Sequence, residues 1–110
     1  WTHVEDTAEA FILLYEKACR NNIYNIQSDY EQTNFVTVTK IINTYFMGDI
    51  ATDIPDYDRH IDYNYDRPGQ DVRYSISCKS LKNYGWYPKK NFDKEIVNLV
   101  NYYKKRKWKW

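Results

Sequence analysis

The sequence predicts an α/β fold: short strands combined with three main helices. Two observations predict it. Apolar residues recur at three- and four-residue spacing in three separate stretches, as on a helix with one buried face. Between these stretches lie short runs rich in isoleucine, valine and tyrosine, which read as strands. A chain of 110 residues has room for one modest core, so residues 1–110 are read as a single domain.

Residues 1–4 read as the end of a strand. Asp6 is placed to start the first helix, with Glu9 three residues later as in a capping box, and Ala8, Phe11, Ile12, Leu14 and Tyr15 give it a broad apolar face down to about Cys19. Ile23, Tyr24 and Ile26 predict a short strand, and a polar loop from Gln27 to Thr33 leads to Asn34 as the cap of a second helix. Phe35, Val38, Ile41, Ile42 and Tyr45 make that helix amphipathic. The acidic stretch Gly48 to Arg59 has no period and is expected to be an exposed loop. Ile61, Tyr63 and Tyr65 alternate with polar residues as in a half-buried strand, and a further strand is expected from Val72 to Ile76. Ser77 can cap a short helix that ends at Gly85, and Asn91 can cap the last helix, with Phe92, Ile96, Val97, Val100 and Tyr103 on one stripe.

Composition narrows the function. With 43% hydrophobic and 28% charged residues the chain is globular, and no apolar run is long enough to span a bilayer, so no membrane partner is expected. A net charge of +1 argues against nucleic acid, and the basic tail from Lys104 to Trp110 fits a solvated helix end better than a base-stacking surface. His3 and His60 have no partners at ligand spacing, so no metal is expected. Cys19 and Cys78 fit reduced thiols in a cytoplasmic protein, with a disulfide as the alternative. No secretory signal opens the chain, and its start at Trp1 without a methionine suggests a piece of a longer protein.

The most informative stretch is Asp66-Arg67-Pro68-Gly69-Gln70-Asp71-Val72-Arg73-Tyr74, followed by Gly85-Trp86-Tyr87-Pro88. An arginine beside a Pro-Gly turn is fixed by stiff backbone on one side and freed by glycine on the other. With a second arginine close by, two guanidinium groups could converge on one anion. This block resembles the Asp-Arg-Pro-Gly-His-Asp-x-Arg-Tyr segment of nucleotide-sugar 4,6-dehydratases, within the extended short-chain dehydrogenase/reductase superfamily, with Gln70 in the histidine position. Collinear with it, Val4-Glu5-Asp6 is similar to the family's Val-x-Asp helix start. Ile23-Tyr24-Asn25-Ile26 is similar to its Tyr-Asn-Ile/Leu-Gly strand, with Gln27 where glycine is common. Asn34 heads a helix as in its Asn/Ser-Leu-x-x-Val element, and Gly85-Trp86-Tyr87-Pro88 resembles its Gly-Trp-x-Pro signature. Tyr102-Tyr103 is similar to its closing Trp-Tyr helix.

The resemblance implies the C-terminal, substrate-binding portion of an extended Rossmann-type enzyme. The enzyme would be an NAD-dependent dTDP- or UDP-glucose 4,6-dehydratase that eliminates water to give a 4-keto-6-deoxy sugar nucleotide. It implies that Arg67, Asn34, Gln70 and Arg73 bind a nucleotide-diphosphate sugar, with Arg67 on the diphosphate. NAD would be held by the missing N-terminal Rossmann domain, which the resemblance makes this chain's partner, and the full-length enzyme would be a homodimer. No cofactor-binding or catalytic residue is assigned within the chain, since Gly48, Gly69 and Gly85 cannot form a Gly-x-x-Gly-x-x-Gly loop. Tyr103 and Lys107 match a Tyr-x-x-x-Lys pair, but they stand at a basic helix end and the match is rejected. The isolated chain should therefore be inactive. Alternative readings are the corresponding part of a nucleotide-sugar epimerase or decarboxylase, and a non-catalytic sugar-nucleotide-binding module. The resemblance also implies an apolar face left uncovered around Phe11, Leu14, Tyr15 and Tyr24.

Overall fold

A computed structural model describes residues 1–17, 22–69, 73 and 75–106. Contrary to the α/β expectation, these residues are helical and irregular, with no strand or sheet. The helices are α1 (Val4–Glu16), α2 (Asn34–Met47), α3 (Lys79–Asn83) and α4 (Phe92–Lys105), with one turn of 3-10 helix at Tyr57–Arg59. The chain divides into two compact units, one of Trp1–Glu31 and Asp71–Phe92, the other of Gln32–Gln70 and Asp93–Trp110.

In the first unit the core is Ala10, Cys78, Leu81 and Trp86, with Leu13, Leu14, Tyr24 and Ile26 packed against it. The helix start lies earlier than the expected Asp6: His3 is the cap, its Nδ1 accepting the Glu5 amide at 3.2 Å, and Val4 is already helical. Asp6 is thereby freed for another task. Its side chain is 1% exposed and accepts the backbone N–H groups of Lys89 (3.0 Å) and Lys90 (3.1 Å), while Trp86 Nε1 donates to the Asp6 carbonyl. Two ion pairs flank this clasp, Lys89 with Glu9 at 2.6 Å and Lys90 with Glu5. Glu9 therefore serves in an ion pair with Lys89 and not in the expected capping box. Phe11 (63% exposed) and Tyr15 (88%) do stand uncovered, whereas Leu14 and Tyr24 pack inward.

α3 ends in a Schellman motif. Gly85, at φ +93°, donates to the Lys82 carbonyl and Trp86 donates to the Leu81 carbonyl, and the buried pair Leu81 and Trp86 supplies the accompanying apolar contact. The cap position at its start is Cys78, one residue after the expected Ser77, although the Ser77 hydroxyl does accept the Lys79 amide. Cys78 is a free, buried thiol; Cys19 lies outside the described residues.

The expected strands fail for local reasons. Ile23 to Ile26 keeps the period of two, with Tyr24 and Ile26 turned to the core and Ile23 93% exposed, but among the described residues no neighbouring backbone pairs with it. At residues 61–65 the Asp62 side chain accepts the Asn64 amide at 2.9 Å, and this side-chain turn replaces a ladder. Of the run 72–76, residues 72 and 74 lie outside the described residues, and Arg73, Ser75 and Ile76 are irregular.

In the second unit α2 is capped by Thr33, one residue before the expected Asn34, with the Thr33 hydroxyl accepting the Val36 amide. It stops at Gly48, whose φ of +87° is a left-handed conformation that glycine adopts without penalty. The most buried side chains here are polar: Thr37, Asn43 and Thr44, beside Ile42, Ile54 and Val100. Thr37 and Thr44 donate to helix carbonyls four residues back. Asn43 Nδ2 donates to the Ile50 carbonyl and to Asp53, and the Tyr57 hydroxyl lies 2.6 Å from Asn43 Oδ1 and 2.7 Å from Asp53 Oδ1. The acidic stretch after Gly48 is thus an ordered loop folded onto α2. Lys40 to Asp93 and Lys104 Nζ to the Tyr45 carbonyl, each at 2.5 Å, tie α2 to α4. Tyr103, expected on the apolar stripe of α4, is half exposed.

Candidate functional site

Arg67 precedes a turn at Pro68 and Gly69, and Gly69 has φ +75°. Proline fixes the first turn position and glycine supplies the positive φ at the second, so the Asp-Arg-Pro-Gly sequence dictates this local geometry. Arg67 is exposed, and among the described residues neither it nor Asp66 has a hydrogen-bond or ion-pair partner. Its guanidinium carries five N–H donors, and none of them meets an acceptor among the described residues.

Asn34 is the first helical residue of α2 and is exposed. Thr33 carries the capping role, which leaves the Asn34 side chain to other contacts. Asn34 and Arg67 belong to the same unit, Arg73 to the other, and Gln70 lies outside the described residues.

Arg73 is engaged. Its Nε and Nη2 donate to the two oxygens of Glu31 at 2.5 and 2.9 Å, a two-bond fork. That hydrogen bonding holds the Glu31 carboxyl below the usual carboxylate range and raises the Arg73 guanidinium above its ordinary value. Glu31 went unrecognised in the sequence because it stands 42 residues from Arg73, and neither local periodicity nor a spacing motif links them.

A guanidinium such as that of Arg67 matches an anion by its donor geometry. The three glycines each have a local place in the fold. Gly48 ends α2, Gly69 makes the turn beside Arg67 and Gly85 ends α3, so each glycine serves a terminus or turn and none opens a helix after a strand. Among the described residues no group of three or more His, Cys, Asp or Glu side chains could hold a metal, and no helix is long and apolar enough to cross a membrane. An open polar depression of about 550 Å³ is lined by residues 58–64, and another of about 340 Å³ by Asn22, Ile23, Tyr24, Ser80, Asn83 and Tyr84. None of the candidate anion-binding residues lines either one.

Comparison with known proteins follows the same direction. The chain is 31% identical to a dTDP-glucose 4,6-dehydratase of Escherichia coli, in a match covering 100% of this chain and 31% of that protein. It is 31% identical to the Haemophilus influenzae protein of the same name, over 94% of this chain and 31% of the relative. It is 32% identical to that of Salmonella typhimurium, over 94% and 28%. The chain thus spans less than a third of the length of the curated relatives it matches. No family model matches it, and no solved structure does.

Proposed function

Along its whole length the chain is homologous to a C-terminal portion of the dTDP-glucose 4,6-dehydratases, and from this relationship we propose that it is the part of such an enzyme that grips the sugar nucleotide. The whole-length homology, which runs through the Arg67 turn, is the observation that carries the reading. In the reaction of the longer protein, water is lost across C5 and C6 of a nucleotide-bound glucose, leaving a 4-keto-6-deoxy sugar nucleotide. The residues here do not fit NAD, and no hydride step is assigned through them.

The task of this chain is to bind and orient. A guanidinium matches two phosphate oxygens in one plane, and Arg67 is placed to do this on the diphosphate. Asn34, at the first turn of α2, adds a neutral donor near backbone N–H groups that favour negative charge. Arg73 and Gln70 are further candidate contacts for the sugar nucleotide, on the resemblance of the Asp66–Tyr74 block alone. Holding the diphosphate positions the sugar for chemistry performed by residues elsewhere in the longer protein. The chain alone is therefore catalytically silent.

Titration of the 110-residue chain with dTDP, followed by calorimetry, tests the reading. The wild-type chain is expected to bind, and Arg67→Ala to weaken binding by about 1.5–3 kcal/mol, the scale of a hydrogen bond to a charged group. Arg67→Lys should recover only part of this, because an ammonium cannot make the planar two-bond contact. An unchanged affinity in Arg67→Ala would show a surface residue without a role. A 4-keto product formed by the chain with NAD and dTDP-glucose would refute its silence.

A further inference from the structure

We propose that Glu31 is a positioning residue for Arg73: it grips one edge of the guanidinium and leaves the adjoining outer edge presented to the nucleotide diphosphate. This rests on the reading of Arg73 as an anion-binding residue. Glu31 uses Nε–H and one N–H of Nη2. Of the five guanidinium donors three remain: the second on Nη2 and one on Nη1 point the same way along the outer edge, and the other on Nη1 points back toward Cδ. That edge can receive two phosphate oxygens while Glu31 stays in place.

Exposure distinguishes this from a stabilising ion pair. The side chains are 68% and 53% exposed, and a pair so open to solvent adds little to folding. What it changes is order. Arginine is rich in rotamers, and Arg73 and Glu31 both stand on irregular backbone, with no helix or sheet to fix their directions. A carboxylate that holds Arg73 before the ligand arrives removes that ordering cost from the binding step. Among the described residues Glu31 is the sole partner of Arg73. Two residues after Glu31 stands Thr33, the cap of the helix that begins with Asn34, so the positioning carboxylate lies in sequence beside another candidate contact.

The test follows the Arg73 Nε–H resonance of the full chain by NMR, with dTDP as the probe. In the wild type the Nε–H signal should be ordered and stay in place on addition of dTDP, while the Nη signals move. Glu31→Gln and Glu31→Ala should loosen the Nε–H group and weaken dTDP about three- to tenfold, the scale of one long side chain ordered at binding. In an Arg73→Lys background, Glu31→Gln should have no further effect. Wild-type binding that Arg67→Ala abolishes but Glu31→Gln leaves unchanged would overturn the positioning role alone. Tighter binding in Glu31→Gln would overturn it too, marking Glu31 as a competing anion, as would displacement of the Nε–H signal by dTDP. No dTDP binding by the wild-type chain would overturn the functional reading and this proposal together.

Discussion

The two units solve the problem of an interior in opposite ways. In the unit of residues 1–31 and 71–92, Leu81, Trp86, Ala10 and Cys78 exclude water as an apolar group, and Asp6, its one buried charge among the described residues, is spent on two backbone amides. In the unit of residues 32–70 and 93–110, the most enclosed side chains are Thr37, Asn43 and Thr44, each hydrogen-bonded. Among the described residues no buried side-chain nitrogen or oxygen lacks a partner. Apolar burial is non-directional and tolerates changes of shape that keep volume. A hydrogen-bonded interior depends on angle and atom type, and it punishes a change that keeps volume but removes a donor.

That contrast yields expectations of decreasing size. Trp86→Ala should cost about 3–5 kcal/mol in denaturant unfolding, as for other buried large aromatics. A loss below about 1 kcal/mol would show that the apolar group is not what holds its unit. Asp6→Ala should cost about 2–4 kcal/mol, since two amides lose a charged acceptor. Asp6→Asn should recover part of this, because its NH₂ opposes one of the two N–H groups. Hydrogen exchange at the Lys89 and Lys90 amides is the local readout.

A sharper comparison sets side by side two changes that keep the number of side-chain heavy atoms. Leu81→Met should cost less than about 1.5 kcal/mol. Asn43→Leu should cost about 2 kcal/mol, because it strands the Ile50 carbonyl and takes one partner from Asp53 and from the Tyr57 hydroxyl, which keep only each other. Equal costs would erase the distinction between the units.

The smallest effect is expected in the loop after α2. Backbone N–H groups of Thr52 and Ala51 and the Thr52 hydroxyl hold the Asp49 carboxyl below its ordinary value. A folded value below the unfolded one means that the contribution is complete above the ordinary carboxylate range. It is lost as pH falls through the lowered folded value. An NMR titration should show Asp49 protonating later on acidification than a free aspartate, together with loss of order at Ala51 and Thr52. In Asp49→Asn that coupled change should vanish.

How much of this was legible depended on the distance between cause and effect along the chain. α2 and its stop at Gly48, the α3 terminator at Gly85 and the turn beside Arg67 all follow from side chains a few residues apart, and the structure matches them. The cap lies three residues earlier than expected in α1 and one residue earlier in α2, because His3 and Thr33 cap as well as Asp6 and Asn34 could. Alternating tyrosines and isoleucines predicted strands, but alternation reports only which side of a segment is buried. It does not say whether a second backbone lies alongside. Asp6 was read as a cap because its true partners lie 83 and 84 residues later. Of the candidate site, the turn that carries Arg67 could be read directly, whereas the fork between Glu31 and Arg73 could not.

The clasp at Asp6 also sets a timetable for synthesis. α1 has 13 residues, too few to persist in water without cover. Its cover, Trp86 and the Lys89–Lys90 amides, is encoded 80 to 84 residues downstream. At translation rates of about 5–20 residues per second, the nascent helix waits roughly 4–17 s before its partners exist. The loop on α2 has no such delay, since Asn43, Asp53 and Tyr57 lie within 14 residues of one another. A ribosome that stalls short of Trp86 therefore releases a product with α1 and its apolar residues bare, the kind of surface that chaperones and proteases select.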